Sequence, residues 1–270
     1  MKRIIIVTGA SSGIGREFAF QLAEARTADE IWLLARREDK LQALAEEINA
    51  RDSGRGITVR TVPVDLTGTG GVRSFTALLE EEKKRDNEFV IDTLVNNAGF
   101  GTYGTFMETS IDRQLEMIQL NVITLTGLCH AAIPCMDRGS ILINVSSLAA
   151  FAPLGNFAVY GATKAYVLSF TLALAAETAD SGIFICALCP GPVDTEFAKV
   201  ASNGARVKVL HGASPQKLVT HCLRRIHRGS HTIVMLMKWK FKAFMSRFIG
   251  RYWFARYTFV HEKRPSGPAE

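Results

Sequence analysis

Ile4-Ile5-Ile6-Val7-Thr8-Gly9-Ala10-Ser11-Ser12-Gly13-Ile14-Gly15 opens the chain with a short apolar run that empties into three glycines and two serines. A run this short, bounded by glycine, reads as a strand buried on both faces. Helical periodicity follows to Ala25, with Phe18, Ala19, Leu22 and Ala23 as its apolar positions. A strand that feeds a helix through such a turn aims free N–H groups and the positive helix end at one point, and glycines let a pyrophosphate approach the backbone. The spacing is Gly-x-x-x-Gly-x-Gly, which differs from the more familiar Gly-x-Gly-x-x-Gly.

Outward from this turn the pattern repeats. Apolar runs at 3–8, 30–35, 57–62, 91–96, 139–146, 182–189 and 231–236 read as strands, and the segments 14–25, 38–51, 71–84, 111–135, 158–179 and 215–227 read as helices. Strand–helix alternation of this kind implies an α/β fold with a doubly wound, parallel, seven-stranded sheet and helices on both faces. The 270 residues, 47% of them hydrophobic, suffice for one such domain. No repeat, low-complexity tract or linker divides residues 1–237, which we read as a single catalytic domain, with 238–270 as an extension.

Tyr160 and Lys164 stand four residues apart on one predicted helix, and Ser147 lies thirteen residues before the tyrosine. That spacing sets phenol and ammonium on the same helix face, where the cation would stabilise a phenolate and bring the tyrosine towards the range of a general acid or base. The Ser147 hydroxyl, at the end of a predicted strand, would donate to the same substrate oxygen. The pair alone is weak evidence, because such spacing is common on solvated helices.

Taken together, Thr8-Gly-x-x-x-Gly-x-Gly15, Asn96-Asn97-Ala98-Gly99, Asn121, Ser147, Tyr160, Lys164 and Pro190-Gly191 resemble, in order and spacing, the short-chain dehydrogenase/reductase family, over residues 1 to about 235. The resemblance implies a Rossmann-type fold, nicotinamide dinucleotide binding and hydride transfer between that cofactor and an alcohol or ketone. It implies that Tyr160 is the proton donor and acceptor. Lys164 lowers its pKa and holds the nicotinamide ribose, Ser147 orients the substrate oxygen, and Asn121 holds a water in a relay to Lys164. By the same resemblance Thr8, Gly9, Ser11, Ser12, Gly13, Ile14 and Gly15 form the pyrophosphate turn. Asp65 and Leu66 contact the adenine, Asn97, Ala98 and Gly99 border the nucleotide, and Pro190, Gly191, Val193 and Thr195 lie against the nicotinamide. A homodimer or homotetramer is the assembly expected of such a chain.

Strand two ends in Arg36-Arg37, where an acidic side chain would bind a ribose 2′-hydroxyl and a guanidinium would take a 2′-phosphate. NADP(H) is therefore favoured over NAD(H), with Arg36 or Arg37 as the clamp; the alternative is that both are solvated charges opening a polar helix. Many NADP-dependent members of the family carry a basic residue where this chain has Ser12.

The segments expected around the substrate, Phe100–Tyr103 and Leu148–Phe157, carry no charge and several aromatic side chains. They point to a hydrophobic carbonyl such as a 3-oxoacyl group, a steroid-like body or an aromatic ketone, unless Phe151, Leu154 and Phe157 merely pack beneath the loop. In the stretch from Glu196 to Ser214, Lys199, Arg206 and Lys208 would suit a carrier phosphate or water.

Residues 238–270 hold eight Lys or Arg and two Glu, against 24 of each sign before them, so the net charge of +6 resides in the tail. Phe241, Phe244, Met245, Phe248, Ile249, Tyr252 and Trp253 recur at helical spacing from 238 to 257, with Lys240, Arg247 and Arg251 opposite. A basic helix with an aromatic stripe suits peripheral membrane contact; closure of the substrate cleft or a subunit contact is the competing reading. Charges interrupt any transmembrane span, and no nucleic-acid motif accompanies the basic residues.

Cys129, Cys135, Cys186, Cys189 and Cys222 show no metal pattern, since Cys186 and Cys189 fall at an odd offset in a predicted strand, and the six histidines have no ligand spacing. With the first strand starting at residue 3, a cytoplasmic protein is expected, with a peripheral place at the membrane as the variant. The sequence therefore predicts an NADP(H)-dependent reductase of a hydrophobic ketone or 3-oxoacyl compound. A membrane-peripheral reductase of lipid intermediates is a variant of that reading, and a catalytically silent NADP(H)-binding scaffold is opposed by the complete set Asn121, Ser147, Tyr160 and Lys164.

Overall fold

The computed structural model describes residues 1–25, 28–51, 56–206, 212–264 and 266. Seven strands, β1 (Arg3–Thr8), β2 (Glu30–Ala35), β3 (Thr58–Pro63), β4 (Val90–Asn96), β5 (Ile141–Val145), β6 (Phe184–Leu188) and β7 (Thr232–Ile233), form one parallel sheet ordered β3-β2-β1-β4-β5-β6-β7. The helices are α1 (Gly13–Ala25), α2 (Glu38–Arg51), α3 (Gly68–Arg85), α4 (Ile111–Ile118), α5 (Leu125–Ala132), α6 (Ala158–Glu177), α7 (Phe197–Ala201), α8 (Pro215–Ile226), α9 (Met237–Met245) and α10 (Arg251–His261). The doubly wound sheet expected from the sequence is thus present, with strand ends displaced by a residue or two; β7 is the exception, pairing over two residues where six were expected.

The apolar runs form strands because both sheet faces are covered. Ile5 and Val7 point into one core with Phe18, Leu22, Leu41 and Leu218. Ile4 and Ile6 point into the other with Trp32, Phe75, Leu79 and Val167. This two-sided burial is why the strands read as continuous apolar runs. Cys186 and Cys189 fall in different cores, as their odd offset requires, and all five cysteines are free.

Strand order reverses between β1 and β4, so the crevice beyond their C-terminal ends is the place where such sheets take ligands. The turns after β1, β4, β5 and β6 meet there.

The helix expected over 111–135 is interrupted. Between α4 and α5, residues Gln119–Thr124 form a π-helical turn, and a 3-10 turn closes the segment at Ile133–Cys135. Thr124 Oγ1 donates to Gln119 O, five residues back, at 3.0 Å, and also to Leu66 O, which fits the widened turn. An inserted residue of this kind leaves the apolar count almost unchanged, so periodicity does not report it.

The tail is helical and basic, but it is two helices. Residues 246–250 break it, and Ser246 Oγ donates to Phe151 O at 3.1 Å at the break. The break resets the helical phase. As a result Phe241, Phe244, Phe248, Tyr252 and Trp253 face outward, while Ala243, Phe254 and Thr258 are buried.

Candidate active site

A continuous cleft of about 950 Å³ runs over the C-terminal ends of β1, β4, β5 and β6. Arg36, Arg37 and Asp65 line one end, Tyr160 and Lys164 the middle, and Phe254 and Arg264 the other.

At the first end the turn between β1 and α1 is fixed from below. Asn97 Nδ2 donates to Thr8 O at 3.0 Å and Gly9 O at 3.2 Å, while Thr8 Oγ1 accepts from the amides of Asn97 and Ala98, each at 3.0 Å. Thr8 and Gly15, expected at the cofactor, do not line the cleft; they hold its floor. A Cβ added at Gly15 would sit 2.3 Å from Gly9 O, so the close crossing of turn and helix demands glycine there. Gly9, Ser11, Ser12, Gly13 and Ile14 do line the cleft, as do Leu66, Asn97, Ala98, Gly99, Pro190, Gly191, Val193 and Thr195. The first N–H groups of α1 have no partner within the helix and suit a pyrophosphate. The residues present therefore fit a dinucleotide.

Arg36 and Arg37 follow the C-terminal end of β2 and line the same cleft as the β1–α1 turn. Arg37 donates to Ser11 Oγ at 3.0 Å and pairs with Glu196 at 2.9 Å, which holds the Glu196 carboxyl below its usual value. Arg36 is largely exposed, with its nearest carboxylate, Glu116, at 4.0 Å. Asp65 accepts from Thr67 N at 3.0 Å and Thr67 Oγ1 at 2.7 Å, and this hydrogen bonding draws its pKa down.

In the middle, α6 presents Tyr160 and Lys164 one turn apart, both buried. Ser147, just beyond β5, stands beside the Tyr160 phenol, and its Oγ accepts from Ala149 N at 3.1 Å. Lys164 Nζ donates to Val145 O at 2.9 Å and lies 5.8 Å from the Tyr160 ring centre. Burial dominates both titrations. It pushes the phenol up, against the influence of the neighbouring Ser147 hydroxyl, and pulls Lys164 down to about 8. The expectation that the lysine lowers the tyrosine's pKa gives way here to desolvation, which favours the neutral form of each group.

Asn121 sits on the π-helical turn and does not line the cleft. Its Nδ2 donates to Phe100 O at 2.9 Å and Thr163 Oγ1 at 3.1 Å, and its Oδ1 accepts from Phe100 N at 3.2 Å. Lys164 Nζ and Asn121 Oδ1 converge on Gly99, where an added Cβ would lie 3.5 and 2.7 Å from them. The asparagine thus fastens the loop after β4 to α6 beside the lysine.

The far end is a chamber with aromatic walls. Phe157 stacks on Tyr160 with ring centres 4.1 Å apart, Tyr103 meets Phe157 edge-on at 4.8 Å, and Phe197 of α7 lies 5.5 Å from Tyr160. Phe151, Leu154 and Phe157 therefore line the cleft as well as packing beneath its loop. The tail supplies the roof, with Trp239, Ala243, Phe254 and Arg264 among the lining. Gly155 N donates to Thr258 Oγ1 at 2.9 Å, and Asn156 Nδ2 donates to Phe259 O at 3.0 Å. These roof residues were not foreseen. The one local signal was Gly155, where an added Cβ would lie 2.4 Å from Phe259 Cβ, and nothing in its neighbourhood named the partner. Lys208, expected in the lid, lies outside the described residues.

Residues 3–206 match the family model described as short chain dehydrogenase. Sulfoacetaldehyde reductase 2 of Chromohalobacter salexigens is 32% identical over 208 residues, covering 76% of this chain and 78% of that protein. The NADP-dependent 3-hydroxy acid dehydrogenase of Schizosaccharomyces pombe is 34% identical over 212 residues, covering 76% and 77%. A short-chain dehydrogenase from Sphingobium yanoikuyae, solved in complex with NADPH, superposes with a TM-score of 0.76 at 27% identity over 99% of each chain. Strand order, cleft position and a family match that spans β1 to β6 agree, and the chain belongs to the short-chain dehydrogenase/reductase family of NAD(P)-dependent oxidoreductases acting on alcohols and ketones.

Proposed function

We propose that the protein reduces the carbonyl of a hydrophobic ketone or 3-oxoacyl compound with NADP(H). The observation that carries this reading is the place of Tyr160, a buried phenol at the boundary between the nucleotide end of the cleft and the aromatic chamber. The names of the relatives, a sulfoacetaldehyde reductase and a 3-hydroxy acid dehydrogenase, support a carbonyl/hydroxyl couple.

A bound nicotinamide supplies the hydride. Tyr160 gives up its phenolic proton to the carbonyl oxygen as the alcohol O–H forms, and because burial keeps that phenol protonated it rests as an acid, ready for reduction. The Ser147 hydroxyl already accepts from Ala149 N, which leaves its own proton to donate to the same oxygen. Lys164 spends one N–H on Val145 O and keeps two, for a ribose hydroxyl and for returning a proton to Tyr160. Asn121 holds the wall behind that lysine. A 2′-phosphate would find Arg36 loosely paired and Arg37 able to exchange Glu196 for it.

NADPH oxidation with 3-oxoacyl thioesters of increasing length, a steroid ketone and aromatic ketones tests the reading. Tyr160→Phe should bind cofactor and lose about 10²- to 10⁴-fold in turnover; full turnover by that variant would sink the mechanism.

The outer face of the tail supports a lipid contact. Met237, Phe241, Phe244, Phe248, Tyr252 and Trp253 are each more than half exposed and stand among Lys238, Lys240, Arg247 and Arg251. We assign this face to an anionic lipid surface, since a second copy would oppose two cationic faces. Co-sedimentation with phosphatidylserine vesicles at low salt, lost in Tyr252→Ser/Trp253→Ser, is the expected result. Absence from the vesicle pellet, or dimerisation through this face by light scattering, would reject it.

A further inference from the structure

The geometry points to Arg264 as the residue that selects an anionic group on the substrate, so we infer that the ketone taken here is an oxo acid or similar organic anion with an apolar body. The inference rests on the reductase reading and deepens it.

Arg264 reaches the cleft from the end of the roof, after α10. Its guanidinium carbon lies 4.7 Å from the centre of the Phe157 ring and 5.8 Å from that of Tyr103. Phe157 is the ring that stacks on Tyr160, so the cation and the proton-donating phenol share one aromatic neighbour. Burial draws the guanidinium down from its usual value, and its charge slightly opposes the burial that raises the Tyr160 phenol, which marks the two groups as electrostatic neighbours.

Its hydrogen bonding is incomplete. Nη1 is shielded from solvent and has no partner among the described residues. Nη2 has Glu262 Oε2 at 3.4 Å, and Glu262 is shared with Lys242, whose Nζ lies 3.6 Å from its other oxygen. One carboxylate divided between two cations leaves that end of the cleft positive, and Arg206 adds to it. Stacking on aromatic rings uses the face of the guanidinium; the N–H donors lie in its plane, and those of Nη1 remain free for a ligand. A buried donor without a partner is costly, and a fork of N–H groups matches a carboxylate or sulfonate. Lys164, the other buried cation of the cleft, is already committed to Val145 O, and Arg36 and Arg37 stand at the opposite end. The chamber therefore offers an apolar body one place to lie, with its carbonyl at Tyr160 and its anion at Arg264.

The test pairs aryl- and alkyl-substituted oxo acids with their methyl esters, in wild type, Arg264→Gln and Arg264→Lys. The acid should be preferred in kcat/KM by about 10- to 100-fold, the range of one or two charge-assisted hydrogen bonds. Arg264→Gln should lose that preference through KM, with the acid losing at least about 10-fold more than the ester, and Arg264→Lys should restore part of it. A general structural role would lower acid and ester alike, and that outcome, or equal use of both by wild type, overturns the inference. Calorimetric titration of wild type with 4-phenylbutyrate and its amide decides the matter without turnover. Carboxylate binding at least about 10-fold tighter than amide supports the assignment, and equal binding rejects it whether or not the variant folds. Wild type that binds the carboxylate selectively yet reduces neither ketone would refute the reductase reading alone.

Discussion

Replacing Lys164 by Met should abolish turnover and also remove an alkaline rise in stability. Burial lowers Lys164 from 10.5 to about 8, so the folded chain holds this proton less readily than the unfolded chain. Between those values the unfolded state carries a proton that the folded state has released, and stability therefore rises with pH through that window. Below pH 8 both states are protonated and the folded state bears the full cost of the buried ammonium. At about 1.36 kcal/mol per pH unit, the gap between 10.5 and about 8 makes that cost roughly 3 kcal/mol. Going from pH 7 to pH 10 should recover most of it, because the unfolded lysine is still largely protonated at the upper limit and the rest returns only above it. Methionine keeps the apolar stem and has nothing to titrate, while the lost hydrogen bond to Val145 O adds an offset that does not vary with pH. The difference in unfolding free energy between wild type and Lys164→Met, from urea melts at pH 7, 8, 9 and 10, should therefore move by roughly 2 to 3 kcal/mol in favour of wild type. A difference constant to within about 0.5 kcal/mol would mean that Lys164 is hydrated and that the buried Tyr160–Lys164 site is wrong.

Gly15→Ala should abolish nucleotide binding and lower the unfolding midpoint, since its Cβ meets a backbone oxygen at 2.3 Å that cannot move aside; unchanged cofactor titration would contradict the packing of turn on helix. Arg37→Ala should cost about 10- to 100-fold in kcat/KM for NADPH and leave NADH almost unaffected, read from steady-state rates with both cofactors. Thr258→Val, nearly isosteric, strands the amide of Gly155 and should cost about 1–3 kcal/mol. It should also raise KM for hydrophobic ketones more than it lowers kcat, and unchanged denaturation and KM would show that the roof is not tied there.

The centre of the sheet was legible because β1, β2, β4, β5 and β6 are buried on both faces, and such a strand writes its apolar run directly into the chain, whereas the edge strand β3 is largely half-buried. The middle of the site was legible for a related reason: Tyr160 and Lys164 lie on one uninterrupted helix, so spacing alone fixes their shared face. Two things were not. The π-helical turn at Asn121 depends on Thr124 reaching Leu66 O, a contact 58 residues away in sequence. The tail's inward face depends on the break at 246–250, after which helical spacing no longer relates Phe244 to Phe254. Periodicity read across that break assigned the aromatic stripe to one continuous face, whereas the residues that tie the tail to Phe151, Gly155 and Asn156 are Ser246, Thr258 and Phe259, none of them on that stripe.

The ties from Thr258 and Phe259 to Gly155 and Asn156 make the roof a cassette. Ser147, Tyr160 and Lys164 sit just beyond β5 and on α6, while residues 237–264 cover the chamber from a separate stretch of chain. A chimaera that exchanges this stretch should change which molecules enter while leaving Ser147, Tyr160 and Lys164 in place. The same arrangement makes a handle fused close behind Arg264 a change to the proposed anion site, so kinetics from such a fusion should differ from those of the unfused chain.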